Sequence, residues 1–329
     1  MTALPPLRWL SSADVAAAMP DLPVRLALAE RTMTALVADA DLPAKIAVHP
    51  RPDGSFGHAM PAFLRGADPS GDRLGIKWVT GYDTNRSLGL PAIHAVVALS
   101  DAATGMPLAL LDGGPITAAR TAAVSGLAIR RYAPAVAGRP VRVALVGAGV
   151  QGHSHVPVIG HLLPGADLAL HDRDAARAEA LASVAATMPG IGSVVVAPTA
   201  REAVAGADVV VTAASFGPVR QVLTPDWLAP GATIVAVDYA TYVAASTARA
   251  AARFVVDERG QFLANRDAGL FDDYPDPTAT LGEDVIADLG RPPGVVLVTH
   301  LGVGLADVVF GAAILERAER DGLGTILPR

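Results

Sequence analysis

The chain has 329 residues, 51% of them hydrophobic and 18% charged, which describes a globular protein long enough for two domains and excludes a disordered one. A net charge of −6 without any basic cluster argues against nucleic acid or an anionic membrane surface as the main partner. The absence of cysteine excludes disulfides, thiolate metal sites and cysteine nucleophiles.

Ser11, Ser12 and Asp14 stand before an alanine-rich run, so either serine can cap a first helix. Leu26, Ala29, Met33 and Leu36 fall at helical spacing and predict a helix over residues 23–38. From Pro43 the texture changes. Short apolar runs over 45–48, 56–64, 74–79, 93–99 and 107–111, split by Gly, Pro and Asp, predict antiparallel strands. The run ITAARTAAVSGLAIRRY, residues 116–132, has no proline and predicts a long helix. Strands are then predicted over 194–197, 208–213, 233–237, 254–256 and 295–298, with helices over 174–187, 200–205 and 305–320. The acidic stretch 267–277, with two prolines, reads as a surface loop. Alternation of strands and helices in the second part implies a doubly wound parallel sheet with its loops at the strand C-termini.

The stretch VRVALVGAGVQG, residues 141–152, carries the strongest motif. An apolar, β-branched strand leads into Gly147, Gly149 and Gly152, the G-x-G-x-x-G of a dinucleotide site. The first glycine permits the tight turn, the second lets backbone approach a pyrophosphate, and the third lets the next helix pack on the strand. That helix reaches about Leu163, with Pro157 as a kink point, and its N-terminus offers free N–H groups to phosphates. A second strand, 166–170, runs into His171 and Asp172, and Asp172 lies 20 residues beyond Gly152, where such folds place the acid that binds the adenosine ribose. A carboxylate there repels a 2′-phosphate, so NAD(H) is favoured over NADP(H), although Arg173 follows directly and could receive that phosphate. Val150 and Gln151 in the turn, Thr121 on the preceding helix, Thr212, Ala213 and Ala214 at one strand end and Val237 at another complete the expected cofactor contacts.

Lys77 in GIKWVTG, Arg120 in AARTAA and Lys45 in PAKIAV are cations embedded in apolar segments. Such cations either snorkel or need anionic partners, and a substrate carboxylate would serve. Asp238 ends an apolar strand on the ligand-binding edge, as a turn residue or as an acid/base. His58 and His300 are the histidines of interest, each either structural or functional. His153 and His155 follow the glycine turn and are expected to line the helix. No metal-ligand spacing such as H-E-x-x-H occurs, so no metal is expected. The first 15 residues lack a basic segment followed by an apolar one, and no apolar run approaches the roughly 20 residues of a membrane span. A cytoplasmic protein without a membrane partner is expected. The mean hydropathy of +0.39 predicts apolar surface buried between subunits.

The order KWVTGY, GLP, D-x-x-T-G-x-P-L-A-L, DGGPITAARTAAVS and VALVGAGVQG resembles the ornithine cyclodeaminase and mu-crystallin family, over about residues 43–311. The resemblance implies an α/β protein. A mixed α+β substrate-binding and dimerisation domain, residues 1–115 with 305–329, would join a Rossmann dinucleotide-binding domain, residues 116–304. It implies a homodimer and NAD(P)-dependent hydride chemistry at the C–N bond of an amino acid or imine. Imine reductase, amino acid dehydrogenase, ornithine-type cyclodeaminase and a non-catalytic nucleotide-binding crystallin are the alternatives. Lys45, Lys77 and Arg120 stand at the family's cationic positions facing the substrate carboxylate, with Lys45 in place of an arginine. Three positions depart from the cyclodeaminase pattern. His58 replaces a glutamate before Met-Pro. Asp238, in AVDYA, comes two residues before the catalytic aspartate's place, which Ala240 takes. Thr299 and His300, in VTHLG, replace Lys and Ser. Lys77, Asp238 and His300 are the expected catalytic residues, and Lys45, His58 and Arg120 the expected substrate contacts.

Overall fold

In a computed structural model, residues 6–51, 54–215 and 220–329 are described, the side chain of residue 86 excepted. The chain divides into two compact units, residues 1–120 with 302–329, and residues 121–301.

The first unit is built on a mixed sheet of eight strands among the described residues. Its order is Thr325–Leu327, Leu7–Leu10, Pro107–Asp112, Ile93–Ser100, Arg73–Gly81, Phe56–Leu64 and Ala40–Asp41, with Ile46–Val48 also paired to Phe56–Leu64. The five strands predicted from the sequence pair antiparallel with one another, and the parallel pair is that of Leu7–Leu10, a strand not predicted, with Pro107–Asp112. The two terminal strands escape a pattern search because LRWL and TIL are short and only partly buried. One face is packed by helix Gly304–Arg320, whose residues from Gly304 to Ile314 are almost all buried. Alternation along Arg73–Gly81 points Lys77 and Val79 to that buried face and Ile76 and Trp78 to the other. Ile46 and Val48 are exposed, so the apolar run after Lys45 is not core and Lys45 is half-buried rather than embedded.

The second unit carries an all-parallel sheet in the order Ile191–Val196, Ala166–His171, Arg142–Val146, Val209–Thr212, Thr233–Ala236, Val296–Thr299, Arg253–Val256 and Ala279–Thr280. The chain starts in the middle, builds outward one way and then the other, so the strand order reverses beside Arg142–Val146. This is the doubly wound α/β architecture of the Rossmann class, with its switch point between the C-terminal ends of Arg142–Val146 and Val209–Thr212. The central strands are buried along their lengths, as both faces of a parallel sheet require. Helix Val150–Leu162 continues through Pro157. The acidic stretch after residue 267 lacks regular structure, but it is not a simple surface loop. Phe271 and Tyr274 are buried and pack on Phe254 and Phe262, because the two aromatic side chains outweigh the polar residues around them.

Candidate active site

The glycine turn follows Arg142–Val146 directly. Gly147 has φ +109°, and a Cβ there would overlap the carbonyl of Ala213, so the strand ends approach closely only because residue 147 lacks a side chain. A Cβ at Gly152 would overlap the carbonyl of Gly147, which lets the helix begin hard against the turn. Gly149 instead faces open space, and it caps helix Val150–Leu162 with no side chain bonded to the first turn. Bare N–H groups, a positive helix end and open room beside the glycine suit a pyrophosphate.

Asp172 lies at the end of the neighbouring strand. Its carboxylate accepts from Ala148 N–H at 2.7 Å and from Asp174 N–H at 2.9 Å, so the acid is fixed to the glycine turn itself. Arg173 is exposed and donates to the Ser215 hydroxyl at 3.3 Å. Of the other expected cofactor contacts, Thr121 and Thr212 are buried, Gln151, Ala213, Ala214 and Val237 are half-buried, and Val150 is exposed on the first helical turn. Backbone bonds from Ala213 N to the Val146 carbonyl, 2.7 Å, and from Val237 N to the Thr212 carbonyl, 2.9 Å, carry these residues to one edge of the sheet.

Asp238 and His300 end the adjacent strands Thr233–Ala236 and Val296–Thr299 on the same edge. Asp238 is buried, and burial raises its carboxyl to about 6 against hydrogen bonds that favour the anion. Its Oδ1 accepts from the backbone N–H groups of Thr241, 3.1 Å, and Tyr242, 3.3 Å, which is the turn-stabilising role open to any strand-end aspartate. His300 Nε2 is 2.8 Å from the Ser125 hydroxyl, and the same hydroxyl is 2.7 Å from His155 Nε2. His155 therefore does not simply line its helix. The side chain is fully buried.

In the first unit the buried cations meet a residue not singled out in the sequence. Asp307, fully buried on helix Gly304–Arg320, pairs with Lys77 Nζ at 2.6 Å and Arg120 Nε at 3.2 Å. Burial lowers the Lys77 ammonium to about 7, opposed by Asp307 and reinforced by the Arg120 charge. Burial also acts to raise Asp307, but the two cations overcome it and hold the carboxyl below its usual range. Gly302, at φ +75°, leaves the space in which the Arg120 guanidinium lies, since a Cβ there would overlap it. Two cations around one carboxylate leave an excess positive charge, and Lys45 adds to the field felt by Lys77. His58 shares the sheet face of Lys77 and stacks on Phe56 with ring centroids 4.6 Å apart. Burial first, then the charges of Lys45, His49 and Lys77, lowers its imidazole to about 4, so it is neutral near pH 7.

A family model described as the ornithine cyclodeaminase/mu-crystallin family matches residues 15–262. The chain belongs to this family. It is 34% identical, over 98% of each chain, to a Rhizobium meliloti protein named nodulation efficiency protein NfeD. It is 35% identical to mouse ketimine reductase mu-crystallin over 178 residues, a match covering 54% of this chain and 52% of the mouse protein. Among solved structures it resembles Thermococcus litoralis Δ1-pyrroline-2-carboxylate reductase in complex with NADH and L-proline, with a TM-score of 0.84, 25% identity and coverage of 97% and 100% of the two chains. Members of this family thus include imine reductases, and one with this fold binds a nicotinamide nucleotide. No helix among the described residues is long and apolar enough to cross a membrane.

Proposed function

We propose that the chain is an NADH-dependent reductase of imines that carry a carboxylate, working in reverse as an amino acid dehydrogenase. The observation that carries this reading is the buried Lys77–Asp307–Arg120 cluster, whose excess positive charge suits one further carboxylate. Arg120 offers the planar fork for a carboxylate, and Lys77 adds a charge that is present below about pH 7. Gly147, Gly149, Gly152 and Asp172 would hold the dinucleotide, with Thr212, Ala213, Ala214 and Val237 along the same sheet edge. The bound nucleotide supplies the hydride, and the protein orients the substrate and moves the proton. Asp238 and His300 are the acid–base candidates.

Asp172 supports NADH over NADPH, because both carboxylate oxygens are tied to backbone N–H groups and the charge stays beside the ribose position. Two features speak against ornithine-type cyclodeamination. A substrate's distal ammonium would meet the field of Lys45 and Lys77, and His58 in place of a carboxylate adds no negative charge to offset it.

A homodimer through the first unit is supported by the sheet face turned away from helix Gly304–Arg320. Ile46, Trp78 and Val96 lie there in one cross-strand row through Ala59, with Ile76 alongside, all exposed. A second copy related by a two-fold axis would cover such a stripe.

The test is a screen of keto acids with amines, cyclic imines and amino acids, each with NADH or NADPH and with the oxidised forms. Net oxidation of NADH by a carboxylated imine is the expected result. Ammonia release without net change in the nucleotide would instead identify a cyclodeaminase. No turnover of any carboxylated imine or amine, with nucleotide bound, would leave a non-catalytic binding protein.

A further inference from the structure

The hydrogen bonds around Ser125 run in one direction only. They begin at the Gln151 carbonyl, which can only accept. His155 Nδ1 lies 2.6 Å from it and therefore carries the ring proton. Burial pushes His155 down to about 4, so near pH 7 the ring is neutral and its Nε2 bears a lone pair. The Ser125 hydroxyl, 2.7 Å from that Nε2, must spend its one hydrogen there. Its oxygen is then an acceptor towards His300 Nε2 at 2.8 Å, and that nitrogen must hold a proton, since two lone pairs would otherwise face each other. Ser154 does not reverse the order, because its hydroxyl donates to the same Gln151 carbonyl at 2.9 Å. Ser125, His155 and His300 are all nearly or fully buried, so water does not compete for these bonds. Every member lies in the second unit. The chain of bonds starts on the residue before Gly152 and ends on His300 at the sheet edge.

We propose that Ser125 and His155 are positioning residues that hold the His300 proton on Nε2, so that Nδ1 is the His300 atom that exchanges a proton with the substrate nitrogen. Given the imine reduction proposed above, the hydride adds to the imine carbon and the C=N π pair moves onto nitrogen. That nitrogen takes the Nδ1 proton of the His300 imidazolium. The ring is left neutral, with Nε2–H still donated to Ser125. Amine oxidation runs the same step backwards, the neutral ring accepting at Nδ1. The logic is that of any acid–base histidine whose second nitrogen is fixed by a neighbour. Here the fixing group is a hydroxyl, and its own direction is set by a second histidine.

The test uses the full chain with 15N-labelled imidazoles and long-range 1H–15N correlation at about pH 9, where the rings are neutral. His155 should appear as the Nδ1–H tautomer and His300 as the Nε2–H tautomer. In Ser125→Ala the His300 nitrogens should move towards a tautomer average, while His155 keeps its pattern. Ser125→Thr, which retains the hydroxyl, should restore the native spectrum. His300 as the Nδ1–H tautomer in the native protein, or an unchanged pattern in Ser125→Ala, overturns the lock without bearing on the reaction. With a substrate from the screen, Ser125→Ala should lower kcat at least about ten-fold at little change in the KM for NADH, with Ser125→Thr recovering most of it; positioned acid–base groups contribute about 10²–10⁴-fold. A native kcat in His300→Gln overturns the proton-exchange role even where the lock is observed.

Discussion

Asp307→Asn tests the buried cluster at the residue that holds it together. The side chain keeps its size and loses one charge, leaving Lys77 and Arg120 facing each other with no anion between them. At 2.6 Å and an effective dielectric of about 20, the Lys77–Asp307 attraction alone is about 6 kcal/mol before desolvation is subtracted. Breaking a buried pair by removing one partner costs about 3–5 kcal/mol net. For a chain of this length that is a fall of about 4–7 °C in the unfolding midpoint. Lys77 should titrate further below about 7, because the attraction that opposed its burial is gone. Differential scanning calorimetry gives the first quantity and NMR of the lysine side-chain Nζ the second. A double-mutant cycle sharpens the test. Adding Lys77→Met to Asp307→Asn removes the stranded ammonium, so the double variant should be more stable than the sum of the singles by about 1–3 kcal/mol. Additive losses, or an Asp307→Asn variant within about 1 kcal/mol of the native protein, would refute the account of the cluster.

Four further outcomes are expected. Asp238→Asn keeps one carbonyl acceptor for the Thr241 and Tyr242 N–H groups and removes a carboxyl raised from 3.8 to about 6. The folded state then binds more protons than the unfolded one between those values, so the native chain loses stability as pH rises through about 6, and the variant should gain up to about 3 kcal/mol on it above pH 6 and nothing near pH 3.8 in urea melts. Lys77 is lowered from 10.5 to about 7, so KM for a carboxylate substrate should rise above about pH 7 in the native enzyme and lose that dependence in Lys77→Met. Asp172→Ala should weaken NADH in calorimetric titration while leaving NADPH unchanged or tighter; equal native affinities for the two nucleotides would refute the preference. Trp78→Lys, on the exposed sheet face, should convert a dimer into a 33.5 kDa monomer in light scattering, and a native monomer would refute the interface.

The nucleotide half of the fold was legible because its signals are local. Strand, glycine turn, helix, strand and acid occupy about 32 consecutive residues, and each glycine answers to a contact within that span. Lys77 and Arg120 were also visible, as cations in apolar runs, but their sequence context gave only a need for negative charge. The anion that meets it inside the protein is Asp307, more than 180 residues from either partner's neighbourhood at Arg120 and farther still from Lys77. A helical pattern over LADVVFGAAI places Asp307 among buried residues, and a lone carboxylate there needs a partner as surely as the lysine does. Matching unpaired buried charges of opposite sign across the chain would have joined the three. Ser125 and His155 were hidden for a different reason. A serine in an alanine-rich helix and a histidine after a glycine turn both have ordinary local explanations, and their shared role exists only once the sheet order places Val296–Thr299 two strands from Val209–Thr212. The departures from the cyclodeaminase pattern at residues 58 and 300 are thus of two kinds. His58 changes the charge offered to a substrate, by standing neutral among cations where a carboxylate would have offset them. His300 joins a hydrogen-bond chain whose direction is already fixed by Gln151 and His155, so that this substitution fixes the site of a proton as well as the shape of a side chain.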